Sequence, residues 1–278
     1  MAEIPNVGLN LSNRPENVLV VRQALTGVAE NLGLDAVETN DLNTAVTEAC
    51  NNVVQHAYEG EEGPLEVEVY AQAGAVEVVV RDLGVGIRPH AEGGDDAHAG
   101  IGLPVIHALT QRVEFRNLPG GGTEVGMQFS APRATALEPL PDGGPHPSIA
   151  ARPRMTSTVE MTLAPSLAQA VLPRVLSALA ARAYFSTDRI SDLQLVADTL
   201  VASFRESVSG SHLSVAVTLS PRNLELEVGP LRSGSARKLM DSAPADGLRA
   251  VLERLTDEHR FSQSDAAEML ALRLVEPR

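Results

Sequence analysis

The stretch TEACNNVVQHAY, residues 47–58, decides the fold of this chain. Glu48, Asn52 and His56 recur every four residues, so in a helix they line one face, while Ala45, Ala49 and Val53 point elsewhere. A carboxylate and an amide on one face of an otherwise apolar helix form a polar stripe, which is either a solvated face or the wall of a site. The segments on either side separate these alternatives.

Upstream, residues 18–32 repeat the three- and four-residue apolar spacing of 42–58, which predicts two helices, with Pro15 and Asp41 near their starts. Downstream, residues 65–70 and 76–81 alternate or cluster β-branched residues around AQAGA and predict a hairpin. Its second strand runs into VVVRDLGVGI (residues 78–87), delivering Asp82 and then Gly84 and Gly86, a carboxylate beside backbone that a ligand can approach closely. In GIGLPVIHAL (residues 100–109), Gly100 and Gly102 precede a helix expected over 103–111, whose free N–H groups and dipole suit a phosphate. GGGTEV (residues 120–125) opens the last of two closing strands, expected at 113–116 and 125–129, and on its own would be a plain hairpin turn. The order helix, helix, hairpin, loop, helix, hairpin predicts an α+β fold: an antiparallel or mixed sheet covered on one face by helices.

Residues 131–154, APRATALEPLPDGGPHPSIAARPR, carry no apolar periodicity and read as a linker. The expected division is a first domain at 1–132, a linker at 133–154 and a second domain at 155–278. Asp192-Leu193-Gln194 aligns with Asp41-Leu42-Asn43 at an offset of 151. A preceding helix, a following hairpin, a helix start at Gly247-Leu248 and a final strand follow in the same order, which predicts a tandem duplication. At that offset Thr199, Ser203 and Ser207 replace Glu48, Asn52 and His56; at the strand end, which now reads VGPLRSG, Pro230 stands opposite Asp82 and Arg232 opposite Gly84, an offset of 148. The apolar pattern survives at Leu193, Val196, Leu200 and Phe204, so the second domain is expected to keep its core and lack the polar site.

Composition excludes several classes. Net charge is −14, and Lys238 is the single lysine, so there is no basic patch for nucleic acid. That lysine lies outside any GxxxxGK[ST] pattern, so neither a P-loop nor a protein-kinase phosphate lysine is available in the first half. The single cysteine, Cys50, rules out a disulfide framework within the chain and suits a reducing cytoplasm. No export leader and no run near the ~20 apolar residues of a membrane span is expected. Residues 88–99, RPHAEGGDDAHA, are expected to form a mobile lid in which His90 and His98 are solvated rather than metal-bound.

Taken together, EACNN…H, DLGVGI, GIGL and GGT resemble the N box and glycine boxes of the GHKL ATPase superfamily, over about residues 9–132. The short form without a phosphoacceptor hairpin resembles the anti-sigma-factor serine kinases. The resemblance implies a Bergerat-type two-layer sandwich holding Mg-ATP. It implies Asn52 as the magnesium ligand, Glu48 as the catalytic base and Asp82 as the reader of the adenine amine. Gly84 and Gly86 would lie along base and sugar, Gly100, Gly102 and Leu103 at the phosphates, and Thr123 near the adenine end, with Arg88 a further candidate for phosphate charge. It further implies a serine kinase acting on an anti-sigma antagonist and sequestering a sigma factor, as a homodimer or, with the degenerate copy in the partner's place, an intramolecular pseudo-dimer. Two alternatives stay open: an ATP-dependent binding module without phosphoryl transfer, and a water-directed ATPase of the same superfamily.

Overall fold

The computed structural model describes residues 4–86, 102–134, 157–204, 207–235, 238, 248–264 and 267–277. The chain divides into two units, Met1–Pro139 and Leu140–Arg278. In the first unit the elements are β1 (Val7–Ser12), α1 (Pro15–Asn31), α2 (Ala36–Asn52), a π turn (Val53–Ala57), β2 (Pro64–Gln72), β3 (Gly74–Asp82), α3 (Gly102–Leu109), β4 (Arg112–Asn117) and β5 (Thr123–Ala131). The strands form an antiparallel sheet in the order β4-β5-β3-β2-β1.

Local sequence explains these elements. Strands β2 and β3 alternate buried Leu65, Val67, Val69 and Val76, Val78, Val80 with half-buried charged residues, so one face meets the helices. On the other face Arg81 sits between Glu68 and Glu124, its Nε donating to Glu124 at 2.7 Å. Helix α1 begins with Pro15 in its first turn and buries Val18, Val21, Leu25 and Val28, each worth roughly 1.5–3 kcal/mol of transfer free energy when fully removed from water.

Three details differ from the sequence expectation. Strand β1 precedes the first helix, with Val7 through Leu11 all buried; its alternation is short and interrupted by Gly8 and Asn10, which weakens the period-two signal. Helix α2 starts at Ala36 rather than near Asp41, because Asp35 forms a capping box: its carboxylate accepts from Val37 N (2.9 Å) and Glu38 N (3.0 Å), and Glu38 accepts from Asp35 N (2.7 Å). The α-helix also ends at Asn52, and the wider π turn takes His56 off the α-helical phase of Glu48 and Asn52; His56 is exposed.

The second unit runs β6 (Thr158–Leu163), α4 (Pro165–Arg182), α5 (Thr187–Phe204), β7 (Leu213–Ser220), β8 (Asn223–Arg232), α6 (Leu248–Leu255), β9 (Glu258–Ser264) and β10 (Ala267–Val275). Its sheet order, β9-β10-β8-β7-β6, repeats that of the first unit element for element. Its core is continuous, with Leu172, Leu176, Leu193, Val196, Leu200 and Phe204 all at most 1% exposed. Among the described residues no helix is long and apolar enough to cross a membrane.

Candidate functional site

Helix α2 packs against β3, β5 and α3, which places its polar stripe beside the start of α3. A Cβ built on Gly102 would stand 3.3 Å from Glu48 Oε2 and 3.5 Å from Asn52 Oδ1. The first residue of α3 therefore abuts both polar groups of α2, and glycine leaves the space between them open. Glu48 and Asn52 are half-buried, whereas Leu103 is 40% exposed. Gly100 and Arg88 lie outside the described residues, as do His90, His98 and the whole expected lid.

Asp82 ends β3 and is only 4% exposed. Its Oδ1 accepts from Gly84 N at 2.8 Å. Burial pushes its carboxyl above the usual carboxylate range, opposed by hydrogen bonds from Gly84 N–H and from the backbone N–H and hydroxyl of Thr123. Thr123 is thus beside Asp82 through both its main and side chains. A donor such as an exocyclic amine placed against this carboxylate would further stabilise the charged form.

The glycines hold three loops in direct contact. A Cβ on Gly84 would lie 2.0 Å from the Ala57 carbonyl oxygen, and Val85 N donates to that same oxygen at 2.9 Å. Gly122, at φ +96°, lies so close that a Cβ there would be 2.1 Å from the Asp82 carbonyl oxygen, so the GGGT segment does more than turn a hairpin. Gly86, at φ +76°, faces Asn117 and Gly122. The end of α2's π turn, the Asp82 loop and the turn before β5 are therefore packed into one unit. Glu48, Asn52 and Gly102 form one cluster and Asp82, Gly84, Gly86 and Thr123 a second, joined through Ala57.

Among the described residues no group of three or more His, Cys, Asp or Glu could hold a metal. A magnesium ion at Asn52 would take one amide oxygen from the protein and its remaining ligands from phosphate and water, a donor set that suits this ion.

The corresponding positions of the second unit are spent on local bonds. Thr199 Oγ donates to Leu195 O (2.7 Å) and Ser207 Oγ to Ser203 O (3.4 Å). Pro230 stands two residues before the end of β8, and the glycine turn after the strand is held from another strand: Glu268 on β10 accepts from Gly234 N at 2.7 Å.

Residue 58 carried no functional signal in the sequence, since a tyrosine at a helix end reads as core. Here its hydroxyl accepts from Leu83 N (2.8 Å) and donates to Pro64 O (2.5 Å), linking the helix end to the Asp82 loop.

Comparison with known proteins bears on the same region. A family model described as a histidine kinase-like ATPase domain matches residues 11–129. The serine-protein kinase RsbW of Bacillus pumilus is 33% identical over 136 residues, an alignment that covers 44% of this chain and 83% of that protein. RsbW of Listeria innocua is 35% identical over 123 residues, covering 39% of this chain and 78% of that protein.

Proposed function

Because the chain belongs to the family of the RsbW serine-protein kinases, whose matching domain is histidine kinase-like, we propose that its first domain binds Mg-ATP and phosphorylates a serine on a partner protein. The observation that supports this proposal is the approach of Gly102 to Glu48 and Asn52, at 3.3 and 3.5 Å from its Cβ position, which brings a carboxylate and an amide oxygen to a helix start.

In this scheme Asn52 would hold magnesium, which neutralises charge on the phosphates, while N–H groups at the start of α3 receive the phosphate oxygens. Glu48, one turn before Asn52, takes the proton of the attacking serine hydroxyl as the γ-phosphoryl group leaves ADP. Asp82, held by Gly84 N–H and Thr123, accepts from the adenine amine; a guanine would present a carbonyl there and meet two acceptors face to face. Gly84 and Gly86 would keep the loop clear for base and sugar, with Leu103 at the phosphates and Thr123 near the adenine end. The partner is an anti-sigma antagonist, and the regulated target a sigma factor, as for the anti-sigma kinases that the sequence resembles. The second domain, with the same strand order and no equivalent of Glu48, Asn52 or Asp82, is a degenerate copy that takes the place of a partner protomer. Mass in solution tests that arrangement, since a tight dimer of full-length chains would contradict it.

The decisive experiment is incubation with labelled ATP, magnesium and candidate antagonist proteins. Glu48→Ala is expected to lose transfer by about 10²–10⁴-fold while still binding nucleotide. Asn52→Ala is expected to weaken Mg-ATP binding. Undiminished transfer by Glu48→Ala would remove the base from the scheme. Partner regulation by ATP with no transfer from any protein would favour a binding module, and steady ADP release without a protein substrate a water-directed ATPase.

A further inference from the structure

Tyr58 sits immediately after the π turn, and its surroundings leave it little freedom. A Cβ built on Gly63 would fall 2.1–2.4 Å from its ring atoms, so the ring lies flat against that glycine. Residue 63 is itself tied down: Gly63 N donates to Asn13 Oδ1 (2.9 Å), and Asn13 Nδ2 donates to Glu61 O (3.2 Å). The hydroxyl donates to Pro64 O at the start of β2, which aims its lone pairs at Leu83 N–H (2.8 Å).

Three successive backbone donors after Asp82 thus have partners. Leu83 N–H goes to the Tyr58 hydroxyl, Gly84 N–H to Asp82 Oδ1 and Val85 N–H to Ala57 O. Two of the three partners come from consecutive residues at the end of the helix that carries Glu48 and Asn52. The Leu83 side chain is 60% exposed and does not hold the loop by packing. Without the hydroxyl, one of the two bonds from helix to loop is lost, and of the groups that hold the Asp82 carboxylate, Gly84 N–H sits on a looser loop while Thr123 stays in place.

We infer that Tyr58 is a positioning residue for base recognition: through Leu83 N–H it steadies the loop whose Gly84 N–H, together with Thr123, aims the Asp82 carboxylate, and it ties adenine binding to the helix that holds the phosphate end. This inference rests on the ATP-site proposal above. Its effect falls on the base end of the ligand alone. One hydrogen bond of this kind sustains about a three- to tenfold difference in affinity.

The test compares the full-length chain with Tyr58→Phe, which keeps the ring over Gly63 and removes the hydroxyl. Calorimetry with Mg-ATP and with magnesium tripolyphosphate, which has no base, is paired with amide hydrogen exchange of the ligand-free protein. Expected are an affinity for ATP three- to tenfold lower, an unchanged affinity for tripolyphosphate, faster exchange at Leu83 and a melting temperature lowered by no more than a few degrees. Equal loss for both ligands, or wild-type ATP affinity, would overturn the positioning role and leave the site standing. Failure of the unsubstituted chain to bind ATP would overturn the site and this role with it. Slow Leu83 exchange in the variant would show that the hydroxyl does not hold the loop.

Discussion

Gly102→Ala separates the proposed chemistry from the stability of the fold. Gly102 has no positive φ, so alanine fits its backbone conformation, and the added methyl meets side-chain atoms only: Glu48 Oε2 at 3.3 Å, Asn52 Oδ1 at 3.5 Å and Asn52 Nδ2 at 3.8 Å. A carbon at 3.3 Å from a carboxylate oxygen is tighter than ordinary contact by a few tenths of an ångström, which rotation of the Glu48 side chain can relieve. Alanine in a helix interior is better than glycine by about 1 kcal/mol, and at a first helical position by less, so the melting temperature is expected to hold or rise slightly. The same methyl occupies the space between the proposed base and the proposed metal ligand; it meets Asn52 at ordinary contact distance and turns the Glu48 carboxylate from its working direction. Misplacement of about 1 Å costs on the order of 100-fold in rate, so a shift of a few tenths predicts roughly a tenfold loss of transfer. Thermal denaturation and single-turnover transfer from labelled ATP measure the two effects separately. A variant that melts like wild type and transfers at the wild-type rate would refute the assignment of this cluster as the reacting centre.

Other substitutions probe the remaining contacts. Asp82→Asn keeps the position neutral at every pH. Because burial raises the Asp82 carboxyl above its unfolded value, wild-type stability relative to the variant should be greatest below the unfolded carboxyl range and decline as pH rises through the raised value. Urea unfolding across that range checks this, and a pH-independent difference would contradict it. Gly84→Ala places a methyl 2.0 Å from the Ala57 carbonyl oxygen, a backbone atom that cannot rotate away, and should destabilise the first unit by about 2 kcal/mol or more in urea melts. Asp35→Ala removes the capping box of α2 and should cost about 1 kcal/mol with transfer unchanged, since Glu48 lies 13 residues, or about 20 Å, further along the helix.

How much of this was legible in the sequence follows from the range of each interaction. The spacing of Glu48 and Asn52 is a property of one helix, and the hairpins 65–82 and 113–129 announce themselves by local alternation, so both could be read directly. The capping box at Asp35 and Glu38 was equally local and present in the sequence, but the apolar pattern beginning at Leu42 masked it. His56 was misplaced because four-residue spacing implies a common face only while 3.6 residues make a turn, and nothing in VVQHA signals the wider turn that the backbone takes there. The approach of Gly102 to α2, of Gly84 to Ala57 and of Gly122 to Asp82 is tertiary. In the sequence those glycines state only that something comes close, and the fold supplies what it is.

The second unit shows which parts of such a site the fold itself requires. Its sheet repeats the strand order of the first, and its helices keep their buried apolar residues, although the positions of Glu48 and Asn52 carry Thr199 and Ser203, and Thr199 has turned its hydroxyl back onto its own helix. A unit of this strand order therefore folds with hydroxyl residues at the positions of Glu48 and Asn52. The anchoring of the glycine turn is different. In the first unit Asp82 Oδ1 accepts from Gly84 N–H at 2.8 Å; in the second, where Pro230 and Arg232 stand opposite Asp82 and Gly84, Arg232 N–H donates to Ser207 O at 2.7 Å, and Glu268 on the last strand accepts from Gly234 N–H at 2.7 Å. The loop after this strand is thus tied in both units, by an aspartate carboxylate in the first and by a serine backbone carbonyl and a glutamate from another strand in the second. Holding the turn and the proposed contact with a base are therefore separable duties of Asp82, and the second unit meets the first of them with other residues.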